Sequence, residues 1–284
     1  MRLLTLIPLA IASIIHTATG APATTAPSSV ITTTKITPSY WRATFSDPPF
    51  NIQGNAFFRD FYALVDEITG DPNVKVVVFD SNSKYFFSTH VDLINTLDPD
   101  LYPVAAIRGR TYNAGAEIAA VLDVRFGSKE KAVLAQYEVG FGVNPGGGGI
   151  EMLSHLAGRS RALEVVLGND SIDAETAALY GWINRAIPDA QFENFVDKFA
   201  RRVAGWDHSA IAAAKNLINE RTRFPTADEQ IESFNSFLKA DAPGGLVDRR
   251  LKAMAAAGMQ TNLNFEENFG QEELKFIGSG PWNA

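Results

Sequence analysis

Residues 104–149 read VAAIRGRTYNAGAEIAAVLDVRFGSKEKAVLAQYEVGFGVNPGGGG, and the rest of the chain is arranged around them. An apolar strand over residues 104–107 meets Gly109, crosses a short polar loop and enters a helix at about residues 113–115. A helix start leaves N–H groups without intrahelical partners, so hydrogen-bond donors collect there. Glu117 falls in that helix's first turn. A second apolar run over residues 132–135 leads to another isolated acid, Glu138, and then to a loop so rich in glycine that its backbone must lie close to something. Two carboxylates beside a cluster of backbone donors form a candidate acid/base site. On spacing alone, the better reading of Glu117 is a first-turn acid stabilised by the helix macrodipole, and of Glu138 a solvated loop acid.

The 284 residues are 46% hydrophobic and 20% charged, enough to bury a sizeable core in one large domain or two small ones. A formal net charge of −7 argues against nucleic acid or an anionic membrane surface as the main partner, because either needs a basic face. With no cysteine, disulfides, thiolate catalysis and cysteine-ligated zinc are excluded. No metal site is expected.

The chain begins Met1-Arg2 and continues LLTLIPLAIASII, an apolar run too short to span a bilayer comfortably, with small residues at Ala18 and Gly20. The pattern predicts a signal peptide over residues 1–20, hence a secreted or secretory-lumen protein with no membrane association after cleavage. Residues 21–39, rich in Thr, Pro, Ser and Ala, read as a flexible lead-in with no core-forming pattern. YWRATF from Tyr40 reads as a strand. A helix is predicted over residues 54–68, where Phe57, Phe58, Phe61, Leu64, Val65 and Ile68 recur at helical spacing. KVVVFD, continuous and β-branched, predicts a strand covered on both faces. One helix is expected over residues 149–168, and a run of amphipathic helices from 189 to the end, a pattern that more often makes packing or oligomer surfaces than chemistry. Asn169-Asp170-Ser171 fits the N-glycosylation pattern.

Three ordered segments resemble the crotonase superfamily, the enoyl-CoA hydratases and isomerases. Gly109, Asn113-Ala114-Gly115, Glu117, Ile118, Ala119 and Asp123 fall in register with N-G-x-x-x-G-G-G-x-E-L-A-x-x-x-D. Tyr137-Glu138, Gly142, Pro145, Gly146, Gly148 and Gly149 match P-E-x-x-x-G-x-x-P-G-x-G-G. Residues 167–188 resemble L-T-G-x-x-I-x-A followed by G-L-V-x-x-V-x-P. The resemblance covers residues 40–215 and implies an α/β fold: a crotonase-like ββα spiral over residues 40–188 and a helical C-terminal oligomerisation region over 189–284, forming a homotrimer or hexamer.

The same resemblance implies the chemistry. Glu117 and Glu138 fall at the two catalytic glutamate positions, Glu117 handling water and Glu138 the proton at Cα of an acyl substrate. Loop residues 85–93, YFFSTHVDL, sit where the family has F-S-A-G-A-D-L, which carries the backbone donors of the oxyanion hole over to Val91 and Ala114. His90 and Ala114 each place a Cβ where the family has glycine, at points where backbone should approach closely or take unusual dihedral angles. His90 reads either as a surface residue tolerating a left-handed backbone or as an extra donor. With Asp92, Gly115 and Gly142 it completes the candidate substrate contacts. Only about ten residues separate Asp92 from the strand near Pro103, a shorter segment than relatives carry, and Lys84 is its one nearby basic residue. Weak CoA affinity is therefore expected. No cofactor is implied; CoA enters only as a substrate thioester. The expected activity is hydration, dehydration or double-bond isomerisation of a thioester or related carbonyl compound through an enolate-type intermediate. A catalytically silent binding protein on the same scaffold, or a hydrolase acting at the carbonyl carbon, are the alternatives.

Overall fold

The computed structural model describes residues 29–90, 104–240 and 244–277. The chain builds two sheets by turns. After β1 (Ile31–Thr37), β2 (Tyr40–Phe45) and helix α1 (Asn55–Gly70), β3 (Val76–Ser81) joins a first sheet and β4 (Phe86–Ser88) a second. β5 (Val104–Ile107) returns to the first sheet and β6 (Arg110–Tyr112) to the second, followed by α2 (Ala114–Val121). β7 (Val124–Ser128) and β8 (Val133–Ala135) repeat the step. Each turn of this spiral advances one position in both sheets, as the ββα expectation required. The single-turn α3 (Glu138–Phe141), α4 (Gly149–Ala157), α5 (Arg159–Gly168), β9 (Ile172–Asp173), α6 (Ala174–Tyr180) and β10 (Arg185–Ile187) complete it. The sheet orders are β1-β2-β3-β5-β7-β10 and β4-β6-β8-β9, parallel except for β1 against β2 and β9 against β8.

The alternation within VVVF explains how the layers pack. Val77 and Phe79 face a core shared with α1, with Phe87 and Leu134 of the second sheet, and with Ala116 and Ala119 of α2. Val76 and Val78 face the opposite way, against Phe192, Val196 and Ala200 of α7 (Asp189–Ala204). A strand buried on both faces needs an uninterrupted apolar run. The outer face of the second sheet, Phe86, Tyr112 and Ala135, packs under α10 (Leu246–Ala257), α11 (Leu263–Glu267) and α12 (Phe269–Leu274) through Val247, Met254, Phe265 and Phe269. Between them in sequence, α8 (His208–Thr222) has no buried residue, and α9 (Ala227–Ala240) touches α4.

Three expectations are corrected. The lead-in of residues 21–39 contains β1, whose backbone pairs with β2 from Ile31↔Phe45 to Thr37↔Tyr40; its outward threonines hide a strand that pairing creates. The helix expected over residues 149–168 breaks at Gly158, where φ is 79°. Residues from 189 onward are not set apart from the spiral, since α7 completes the core of the first sheet and α10–α12 that of the second. The predicted signal peptide lies outside the described residues, as do Val91, Asp92 and the shortened segment after them. Among the described residues no helix is long and apolar enough to cross a membrane.

Candidate active site

The site is assembled where α2 begins. Asn113 precedes the helix with φ 48° and ψ −120°, its N–H donates to Ala135 O at 3.0 Å, and its Oδ1 accepts from Tyr137 N at 3.1 Å. Strand β8, the approach to α3 and the start of α2 are thereby tied at one residue. The unusual backbone angle falls on Asn113, a residue type that tolerates it, and Ala114 sits in the helix with its Cβ accommodated. The close approach falls on Gly115: a Cβ there would lie 2.2 Å from Ser88 O, and its N–H donates to Thr89 O at 2.8 Å. So the loop leading to residue 91 is pressed against the helix start. The Ala114 N–H has no intrahelical partner and no other acceptor among the described residues.

Glu117 is buried, and its Oε1 accepts Gly147 N at 2.8 Å and Gly149 N at 3.1 Å. This is what the glycine-rich loop lies close to. A Cβ on Gly147 would be 2.5 Å from Glu117 Oε2, and one on Gly149 2.9 Å from Oε1. Burial pushes the carboxyl up to about 7, against the pull of the two amides, and the charge of Glu151 adds to the rise. Glu138 opens α3 and is equally buried. Its carboxyl is held well above the usual carboxylate range by burial first and then by the charge of Glu117, with Glu273 adding to it. The Gln136 amide, with its NH₂ turned toward Glu138, donates to the two carboxyl oxygens at 2.9 and 2.8 Å. Two buried acids that feel each other's charge titrate as a pair, and near neutrality the pair holds a proton.

A family model described as enoyl-CoA hydratase/isomerase matches residues 92–241, just over half of the chain. The chain belongs to the enoyl-CoA hydratase/isomerase family. It is similar to the crystal structure of a Streptomyces avermitilis protein classed as an enoyl-CoA hydratase: TM-score 0.80, 34% identity, covering 88% of this chain and 98% of that one. Among curated relatives, the short-chain-enoyl-CoA hydratase of Clostridium acetobutylicum is 31% identical over 116 residues, 41% of this chain and 44% of that protein. The mitochondrial enoyl-CoA hydratase of Pongo abelii is 32% identical over 116 residues, 41% of this chain and 40% of that protein. The chain spans about half the length of the curated relatives it matches.

Within this hydratase/isomerase scaffold the structure brings together Glu117, Glu138, the Ala114 N–H and Gly115. His90 is neither a surface residue nor in a left-handed backbone. It is buried, its ring lies 4.8 Å from that of Phe269, and its Nε2 is 2.9 Å from Oε2 of the fully buried Glu266. Its side chain is thus committed to the C-terminal helices. Gly142 ends α3 at φ 104°, with its N–H on Glu138 O and Val139 O, which makes it a helix terminator. Sequence reasoning missed Gln136, Glu273 and Arg250, which no local motif marks. Asn169, noted in the sequence only as fitting the N-glycosylation pattern, has both ends of its amide engaged: Nδ2 donates to Glu273 Oε2 at 2.6 Å, and Oδ1 accepts Gly140 N at 3.0 Å. Two surface cavities, of about 350 Å³ beside Asp47 and Phe57 and about 520 Å³ beside Phe126 and Phe199, include neither acid. The candidate site therefore rests on the chemistry of the paired carboxyls. Among the described residues no group of three or more His, Asp or Glu side chains is arranged to hold a metal ion.

Proposed function

We propose that the chain adds water to, or removes it from, the α,β double bond of an acyl thioester or a related carbonyl compound. The observation that carries this reading is the pairing of two buried carboxyls with opposite duties at neutral pH. Glu117, titrating near 7 and fixed by two amides, is able to accept a proton; Glu138, held protonated by burial and by its neighbour, is able to give one. In the hydration direction Glu117 takes a proton from water as the water oxygen bonds to Cβ. The π electrons move to the carbonyl oxygen, where the Ala114 N–H, with Val91 as second donor by family position, stabilises the enolate. Glu138 then delivers its proton to Cα, and the electron pair returns from oxygen. The product has gained one water, and the proton left on Glu117 returns to Glu138 through solvent. CoA belongs to this scheme only as the thiol portion of the thioester, which stays attached throughout, and a homotrimer or hexamer is the proposed assembly.

Incubation with a panel of enoyl-CoAs and unactivated enones tests the reading, with Glu117→Gln and Glu138→Gln as controls. Gln keeps volume and hydrogen bonding but moves no proton, so each variant should fold and lose about 10²-fold to 10⁴-fold in rate. Full activity in both would refute the assignment.

A further inference from the structure

A helix of one turn does not hold its own orientation, because its few internal bonds barely repay the cost of ordering it. α3 has four residues and no side-chain cap, yet it carries Glu138. Its middle residue, Gly140, is gripped from outside. The N–H donates to Asn169 Oδ1 at 3.0 Å, and the carbonyl accepts from Arg250 Nη1 at 3.0 Å. The Cα faces the Glu273 carboxyl so closely that a Cβ would lie 2.2 Å from Oε1 and 2.5 Å from Oε2. Glu273 is fully buried and accepts the Asn169 amide at 2.6 Å, while its Oε1 has no hydrogen-bond partner among the described residues. Leaving a carboxyl oxygen buried and unbonded costs stability, so packing alone does not account for an acid at this position.

We propose that Glu273 is a positioning residue: from α12 it fixes α3, and with it the Glu138 carboxyl, through Asn169 and the backbone of Gly140. The proposal rests on the reading of Glu138 as the group that protonates Cα. The geometry fits that role in a second way. Asn169 ends α5 in a left-handed conformation, φ 51° and ψ 39°, which turns its amide between Gly140 and Glu273 and lets one side chain transmit the position of α12 to α3. Burial also pushes the Glu273 carboxyl up to about 8, which limits the negative charge it places beside Glu138 near neutral pH.

The test compares Glu273→Ala, Glu273→Gln and Asn169→Ala in the full chain, by hydrogen exchange over residues 138–142 and by steady-state kinetics on an enoyl thioester. Glu273→Ala and Asn169→Ala should each speed exchange over 138–142 by roughly 10-fold with the sheet peptides unchanged. They should also lower kcat by roughly 10-fold to 100-fold with KM held within about 3-fold, since small misplacement of a proton donor costs that much. Glu273→Gln keeps an oxygen for Asn169 and should behave like wild type. In a Glu138→Gln background the added Glu273→Ala should change kcat no further, whereas a merely structural role would lower it again. Should Glu273→Ala not fold, Asn169→Ala carries the comparison with Glu273 in place. Unchanged exchange over 138–142, or a kcat loss that persists without Glu138, overturns the proposal. If wild type turns over no enoyl thioester, the functional reading fails by itself, and the exchange data still decide whether Glu273 positions α3.

Discussion

Replacing Glu117 with Gln should make the protein more stable above neutral pH while disabling it. In the folded state the carboxyl holds its proton up to about 7, against an ordinary 4.5, because burial disfavours its charge. Between these two values the folded chain binds more protons than the unfolded one, so stability falls as pH rises. The contribution is whole below pH 4.5 and lost once pH passes about 7. The interval corresponds to about 3 kcal/mol. Gln cannot ionise and forfeits nothing over that range, and its oxygen still accepts the Gly147 and Gly149 amides. Its removal of a charge also relieves Glu138, whose raised value owes its second-largest part to Glu117. Urea unfolding at fixed protein concentration should find wild type and variant within about 1 kcal/mol at pH 4.5, and the variant ahead by about 3 kcal/mol at pH 8.5. A stability difference that is the same at both pH values would refute the argument that burial holds this proton.

Gly147→Ala puts a Cβ 2.5 Å from Glu117 Oε2 and should displace the carboxylate, cutting the rate by about 100-fold in a protein that still unfolds cooperatively; an unchanged rate would mean Glu117 does not need that loop. Gly115→Ala meets backbone, Ser88 O at 2.2 Å, and should cost roughly 3 kcal/mol or more in a denaturant titration. α8 has no buried residue and exposes Leu217 and Ile218, so light scattering should give a trimer for wild type and smaller species for Leu217→Asp with Ile218→Asp.

What was legible in the sequence is what repeats locally or matches at fixed spacing. KVVVFD announced a strand covered on both faces because β-branching and an unbroken apolar run have one common cause. The start of α2 and the two acids could be placed because glycine, a helix entry and an isolated carboxylate recur in order. The contacts that finish the site have no such period. Gln136 on Glu138, Asn169 between Gly140 and Glu273, and Glu266 on His90 each join side chains that only the spiral brings together. His90 was misread for the same reason, since a histidine in a loop looks solvated until the C-terminal helices close over it. Gly158 could equally have continued a helix by sequence, and the break lies in its backbone, at φ 79° and ψ 162°.

The strand that sequence reasoning took for a tether has a practical consequence for anyone shortening this protein. β1 forms one end of the six-stranded sheet and presents Thr32, Thr33, Thr34 and Lys35 to water. Beneath it runs YWRATF, with Tyr40, Trp41, Ala43 and Phe45 buried. A truncation at residue 40 would strip the pairings from Ile31↔Phe45 to Thr37↔Tyr40 and leave an aromatic, β-prone strand with its N–H and C=O groups unpaired at an open border. Such a border recruits further strands from neighbouring molecules. The threonine-rich segment therefore works as a solubility guard, and expression boundaries drawn after it should yield aggregates where those drawn at residue 29 do not.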